Sequence, residues 1–286
     1  MPVAVDPADF TWGGDGPADV VARVRAVCVA VDHNDPLNEA AELHLKHHGL
    51  AEARLWISGD VGFALLHDGL LDLAVAPDAR GRGRGQALAI TALADGAPVS
   101  AWSHGDHPGA AELAGQFHLE RVRELWVMRR PTSDALAEPT SPDGVLVRGF
   151  RPGDEDQLIR VNAAAFAAHP EQAGMDAANL AERMAEPWFD PAGLLVADRD
   201  GRMLGFHWTK RHSADLGEVY VVGIAPEAQG MGLGKVLTLA GLHYLADAGV
   251  SEVLLYVESD NAPAISLYSG LGFTHAARDT HVMYRR

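Results

Sequence analysis

The chain has 286 residues, enough for about two domains with cores of their own, and its 48% apolar content is ordinary for a globular protein. A formal net charge of −16 repels phosphate at long range, which argues against nucleic acid or an anionic membrane as partner and suits a neutral or cationic small molecule. The single cysteine, Cys28, excludes an internal disulfide framework and a cysteine-rich zinc site; no apolar stretch approaches the ~18 residues that span a bilayer, and no basic-then-apolar leader opens the chain, so a cytoplasmic protein is expected.

In chain order, residues 20–31 are an apolar run that would bury Cys28 as a structural thiol. His44, His47 and His48 fall on a helix, but without the glutamate of H-E-x-x-H they read as a polar face, and no metal is expected. Residues 70–75 form an apolar strand, followed by a turn at Pro77, a glycine-rich loop and an apolar-periodic helix over 87–93. Residues 125–130 read as a closing strand. Residues 131–144, rich in Pro, Ser and Asp and without periodicity, form a linker between a domain at 1–130 and another at 145–286. The second domain opens with a strand over 145–150, and Pro152 to Asp156 introduce a helix with an acidic first turn. Strands over 193–197 and 203–210 are joined by a hairpin at Asp200-Gly201. There follow a strand to residue 224, a second glycine-rich loop, a helix over 236–245, a strand over 253–257 and a helix over 262–271. Residues 281–286 have the shape of another closing strand.

The two loops are copies. Val75-Ala-Pro-Asp-Ala-Arg80-Gly-Arg-Gly83-Arg-Gly85 and Ile224-Ala-Pro-Glu-Ala-Gln229-Gly-Met-Gly232-Leu-Gly234 lie 149 residues apart in the same strand–loop–helix context, which marks two related domains. Glycines let successive backbone N–H groups converge on an anion, and the first-turn amides of the following helix favour negative charge there. The spacing resembles the acetyl-CoA loop of the GCN5-related N-acetyltransferases. That resemblance implies an α/β fold of two tandem acetyltransferase (GNAT) domains, each a mixed, mostly antiparallel sheet flanked by helices. It also implies acetyl-CoA contacts from Val222, Gly223, Ile224 and the loop Gln229, Gly230, Met231, Gly232, Leu233, Gly234 and Lys235. Further contacts would come from Asn261, Ala262, Pro263, Ala264, Ile265 and Ser266. The first copy offers Leu73, Ala74 and Val75 with Gly81, Arg82, Gly83, Arg84, Gly85 and Gln86.

In that family the strand before the loop and the next strand splay apart, often at a bulge, and the thioester enters the gap. Glu218 opens the apolar strand before the second loop, where partial desolvation would suit a general base. The pattern N-x-x-A-x-x-x-Y-x-x-x-G-F from Asn261 to Phe273 resembles the motif in which a tyrosine, here Tyr268, protonates the departing thiolate; a phenol near its usual ~10 is expected. Asn261 would cap the helix. Aligning the halves puts Gly69 at the Glu218 position, His107 at Asn261 and Ala114 at Tyr268. The C-terminal domain is therefore expected to do the chemistry, leaving the N-terminal one as a second acetyl-CoA binder or a structural partner.

Four segments narrow the resemblance: Phe166 to Gly174, Leu204 to Lys210, Gly217 to Ile224 and Leu254 to Asn261 look like the mycothiol synthase family. The similarity spans the chain and is densest from about residue 143. It implies acetyl transfer from acetyl-CoA to the cysteinyl amine of a cysteinyl-glucosaminyl-inositol, with Glu39, Glu171, Lys210, Glu218 and Tyr256 around that acceptor. Gly230 and Met231 stand where the family usually has basic residues, and Met175 stands where Trp is expected. A monomer is expected. The open alternatives are a tandem acetyltransferase for another amine and a non-catalytic acyl-CoA-binding module.

Overall fold

A computed structural model describes residues 1–167 and 174–286. The chain forms two compact units, Met1–Trp126 with Ala277–Arg286, and Val127–Ala276.

The first unit contains β1 (Val3–Ala4), α1 (Pro17–Asp32), α2 (Glu39–His48), β2 (Ala53–Ile57), β3 (Gly62–His67), β4 (Leu70–Val75), α3 (Arg84–Ala92), β5 (Ser100–Ser103) and α4 (Pro108–Gln116). In α1, Val21, Val24 and Cys28 recur at helical spacing and are buried, while Val27, Val29 and Val31 face out. That stripe and Leu45 of α2 pack on Leu55, Phe63 and Leu65 of the sheet. Leu88, Ala89 and Ala92 of α3 cover its other face against Trp56, Ala64 and Leu71. β2, β3 and β4 run antiparallel in turn. The parallel pair β4–β5 has only Leu70 opposite Ser100.

The second unit contains β7 (Leu146–Gly149), α5 (Glu155–Ala165), α6 (Ala177–Met184), β8 (Leu194–Arg199), β9 (Arg202–Arg211), β10 (Leu216–Ile224), α7 (Leu233–Asp247), β11 (Glu252–Glu258) and α8 (Ala262–Gly270). β8 and β9 turn at Asp200 and Gly201, with φ of 55° and 81°, as the Asp-Gly signal predicts for a primed hairpin turn. A Cβ on Gly241 of α7 would collide with His207 and Thr209, so these β9 residues face α7. By alternation Phe206, Trp208 and Lys210 face the opposite side, where Phe206 and Trp208 share a core with Leu158, Val161 and Leu180 of α5 and α6. Met175 is buried in that core.

Two long strands, β6 (Glu120–Pro131) and β12 (Thr274–Arg285), run across the division of the chain. By sequence alone, residues 125–130 and 281–286 each close their own half of the chain. In the structure residues 277–286 belong to the first unit, where Val282 to Arg285 pair antiparallel with Ser103 to Ser100 of β5. Residues 127–131 belong to the second, where Thr274 and His275 bond to the Arg129 and Val127 carbonyls. Apolar alternation identifies a strand and its faces but carries no address for its partner.

Candidate active site

In the second unit β10 and β11 pair in parallel from Leu216 opposite Glu252 to Val219 opposite Leu255, and the register ends there. At the next residue β10 bulges: Val219 opposes Thr209 of β9 and Val221 opposes Trp208, leaving Tyr220 without a partner position. Beyond Val219 the strand is paired only with β9 as far as Ile224. Every second backbone N–H there, those of Val222 and Ile224, turns away from β9 toward an opening, since Ala225 N–H bonds to Leu204 of β9. At its end a short turn (Pro226–Ala228) leads into the loop, where Gly230 and Gly232 have φ of 81° and 78°. Only glycine holds that region without strain. The first helical bond of α7 runs from Val236 N–H to the Gly232 carbonyl (3.2 Å), so the amides of Leu233, Gly234 and Lys235 head the helix. This is an anion cradle set beside a strand opening.

Glu218 lies just before the split, 5% exposed, opposite Lys210 on β9 and Leu254 on β11. Its carboxylate is 2.6 Å from His212 Nε2. His212 belongs to no motif in the sequence; the hairpin that folds it back onto Glu218 is set by the β9–β10 register. Lys210 Nζ sits over two rings, 4.9 Å from Trp188 and 5.3 Å from Tyr220. Tyr256 stands one residue past the last β10–β11 pair and is 43% exposed.

Tyr268 is half-buried on α8, edge-on to Phe273 with ring centroids 6.0 Å apart. Burial pushes its phenol up to about 12, not the ~10 expected from sequence. Asn261 caps α8 as predicted, its side-chain oxygen accepting from Ala264 N–H at 3.2 Å. Glu39 is the first residue of α2 in the first unit. Glu171 lies outside the described residues.

The first unit has the same frame without counterparts of Glu218 and Tyr268. Gly81 and Gly83 have φ of 68° and 72°, and α3 starts with Ala87 N–H bonded to the Gly83 carbonyl at 3.0 Å. A cleft of about 460 Å³ is bounded by Leu73 to Val75, the loop, Trp102, His107 and Tyr284. Arg80, which aligns with Gln229, turns inward: Nε donates to the Val75 carbonyl at 2.9 Å and Nη1 to Asp32 at 2.8 Å. Gly69, with φ of 70°, sits in the β3–β4 turn, and His107 caps α4 by accepting from Gly109 N–H at 3.0 Å. Ala114 is buried. No carboxylate or phenol occupies the positions aligned with Glu218 and Tyr268.

A strand pair that opens at a bulge, feeding a glycine-rich loop at a helix N-terminus, defines an acetyl-CoA-dependent N-acetyltransferase of the GCN5-related class, and residues 162–273 match the Acetyltransferase (GNAT) family. Two solved structures share the fold. A GCN5-related N-acetyltransferase from Sphaerobacter thermophilus aligns with TM-score 0.70 at 24% identity, over 100% of this chain and 95% of that one. A tandem GNAT protein from the clavulanic acid biosynthesis pathway aligns with TM-score 0.71 at 21% identity, over 100% and 98%. In sequence the chain is 58% identical to a mycothiol acetyltransferase from Nocardioides sp., covering 95% of this chain and 99% of that one. It is 47% identical to a mycothiol acetyltransferase from Actinosynnema mirum, covering 95% and 98%. The chain belongs to the mycothiol acetyltransferase family.

Proposed function

We propose that the protein transfers the acetyl group of acetyl-CoA to the cysteinyl amine of cysteinyl-glucosaminyl-inositol, the last step in making mycothiol, and that the second unit carries the reaction. Acetyl-CoA supplies the thioester. The amide heads of α7 and the loop from Gln229 to Lys235 suit its phosphates. The amides of Val222 and Ile224, which the strand's alternation turns away from β9, suit the carbonyl oxygen as negative charge builds there. Glu218 accepts the proton that the amine loses as its nitrogen bonds to the acetyl carbon. Tyr268 donates its proton to the sulfur as the carbon–sulfur bond breaks. His212 donates to the Glu218 carboxylate and fixes its orientation. Lys210, Tyr256 and, by resemblance, Glu39 and Glu171 serve the acceptor.

The observation that carries this reading is the coincidence of three features on one strand: Glu218, the end of the β10–β11 pairing one residue later, and the glycine cradle at the strand's end. The test is mass spectrometry of purified protein with acetyl-CoA and the cysteinyl-glucosaminyl-inositol amine. The native chain is expected to give one N-acetyl product with a free thiol, and Glu218→Gln to be at least ~100-fold slower. Absence of product from the native chain overturns the reading.

A further inference from the structure

Tyr220 is the residue that the bulge displaces, and it lies where β10 and β11 part. Its ring stands edge-on to Trp188 at 5.3 Å and perpendicular to Trp208 at 5.8 Å. Two cations lie over it, Lys210 at 5.3 Å and Arg183 at 5.6 Å. Its hydroxyl is buried and has no hydrogen-bond partner among the described residues. Phenylalanine would pack the same ring without leaving a desolvated O–H unmet, so the hydroxyl costs stability where it stands. An unpaired O–H in a wall of positive charge suits an electron-rich oxygen.

The proposed acceptor has such an oxygen adjacent to the carbon that bears its amine: the carbonyl of the cysteinyl amide. It also has a thiol, the better nucleophile, which must be kept from the thioester. We propose that Tyr220 orients the acceptor, its hydroxyl donating to that carbonyl beside Lys210 and thereby turning the amine toward Glu218. Reaching the hydroxyl takes a side-chain rearrangement at the wall, of a kind common on ligand binding. Tyr220 exchanges no proton in the reaction and is a positioning residue. The inference rests on the acceptor named above.

The test compares native protein with Tyr220→Phe on two acceptors, cysteinamide, which has the carbonyl, and cysteamine, which lacks it, alongside thermal unfolding. With cysteinamide, kcat/KM is expected to fall about tenfold in the variant, and with cysteamine to stay unchanged. Tm is expected to rise by about 2 °C, because an unmet hydroxyl has been removed. Equal losses on both acceptors, or a lower Tm, would mean that the hydroxyl serves the fold and would overturn the proposal. Unchanged kinetics on both would do the same. Native protein that acetylates no cysteinyl amide sinks the acceptor assignment as well, whereas native turnover with an unaffected variant sinks only the role of Tyr220.

Discussion

A phenol held up to about 12 by burial stays protonated at every pH used to assay an acetyltransferase, so the donor role proposed for Tyr268 is not limited by its own ionisation. Activity is therefore expected to show no alkaline loss from this group below about pH 11, and kcat measured up to pH 10.5 checks it. Tyr268→Phe keeps the ring against Phe273 and removes only the proton; kcat is expected to fall ~100-fold or more with acetyl-CoA affinity little changed. The same shift has a stability sign. With the folded value above the unfolded ~10, stability is intact below pH 10 and declines as pH rises toward 12. The motif around Tyr268 is legible in the sequence because its Asn cap and Gly-Phe closure are local. It does not extend to His212, Trp188 and Tyr220, whose roles come from a hairpin register and a bulge.

Between elements, Asp72 of β4 is almost fully buried, and its two carboxylate oxygens accept from Asn38 Nδ2 at 3.0 and 2.9 Å. The Asn38 side chain also caps α2 through its oxygen to Ala41 N–H. One residue thus ties a helix start to a strand. Burial raises Asp72 from the usual carboxylate range to about 7. Its folded value exceeds its unfolded one, so the stability it contributes is complete below about pH 4 and is lost as pH rises through 7, on the order of 4 kcal/mol over the window. Asp72→Asn is expected to flatten that slope and to stabilise the protein at pH 8, read as the urea midpoint against pH. In the second unit Arg148 of β7 bonds Asp154 at 2.7 Å and Asp198 at 2.8 Å, with all three side chains largely buried. Removing the cation leaves two enclosed carboxylates, so Arg148→Ala is expected to cost about 3 kcal/mol in denaturant unfolding. Helix and strand identities were legible here from period, caps and the Asp-Gly turn, but these polar ties were not. Asp72 sits in a strand that reads as apolar, and its partner is 34 residues away.

For the whole chain, the repeat announces two related units, but it does not say which strand closes which. The first unit is completed by residues 277–286. There Val282 is fully buried, Tyr284 nearly so, and both pack with Ala114 of α4. Tyr284 also lines the 460 Å³ cleft that carries the first glycine loop. A charge at Val282 must be buried unpaired or must pull the strand from β5, and either costs several kcal/mol. Val282→Asp is therefore expected to strip hydrogen-exchange protection from Ser100 to Ser103, which bond to that strand, although the substitution lies 179 residues after Ser103. If the first cleft binds acetyl-CoA as its loop and volume suit it to do, native protein should hold two molecules per chain by equilibrium dialysis and the Val282→Asp variant nearer one. Protection retained over Ser100 to Ser103 would show that the first unit does not depend on the chain's last strand. A native count of one would mean that the first cleft does not hold acetyl-CoA.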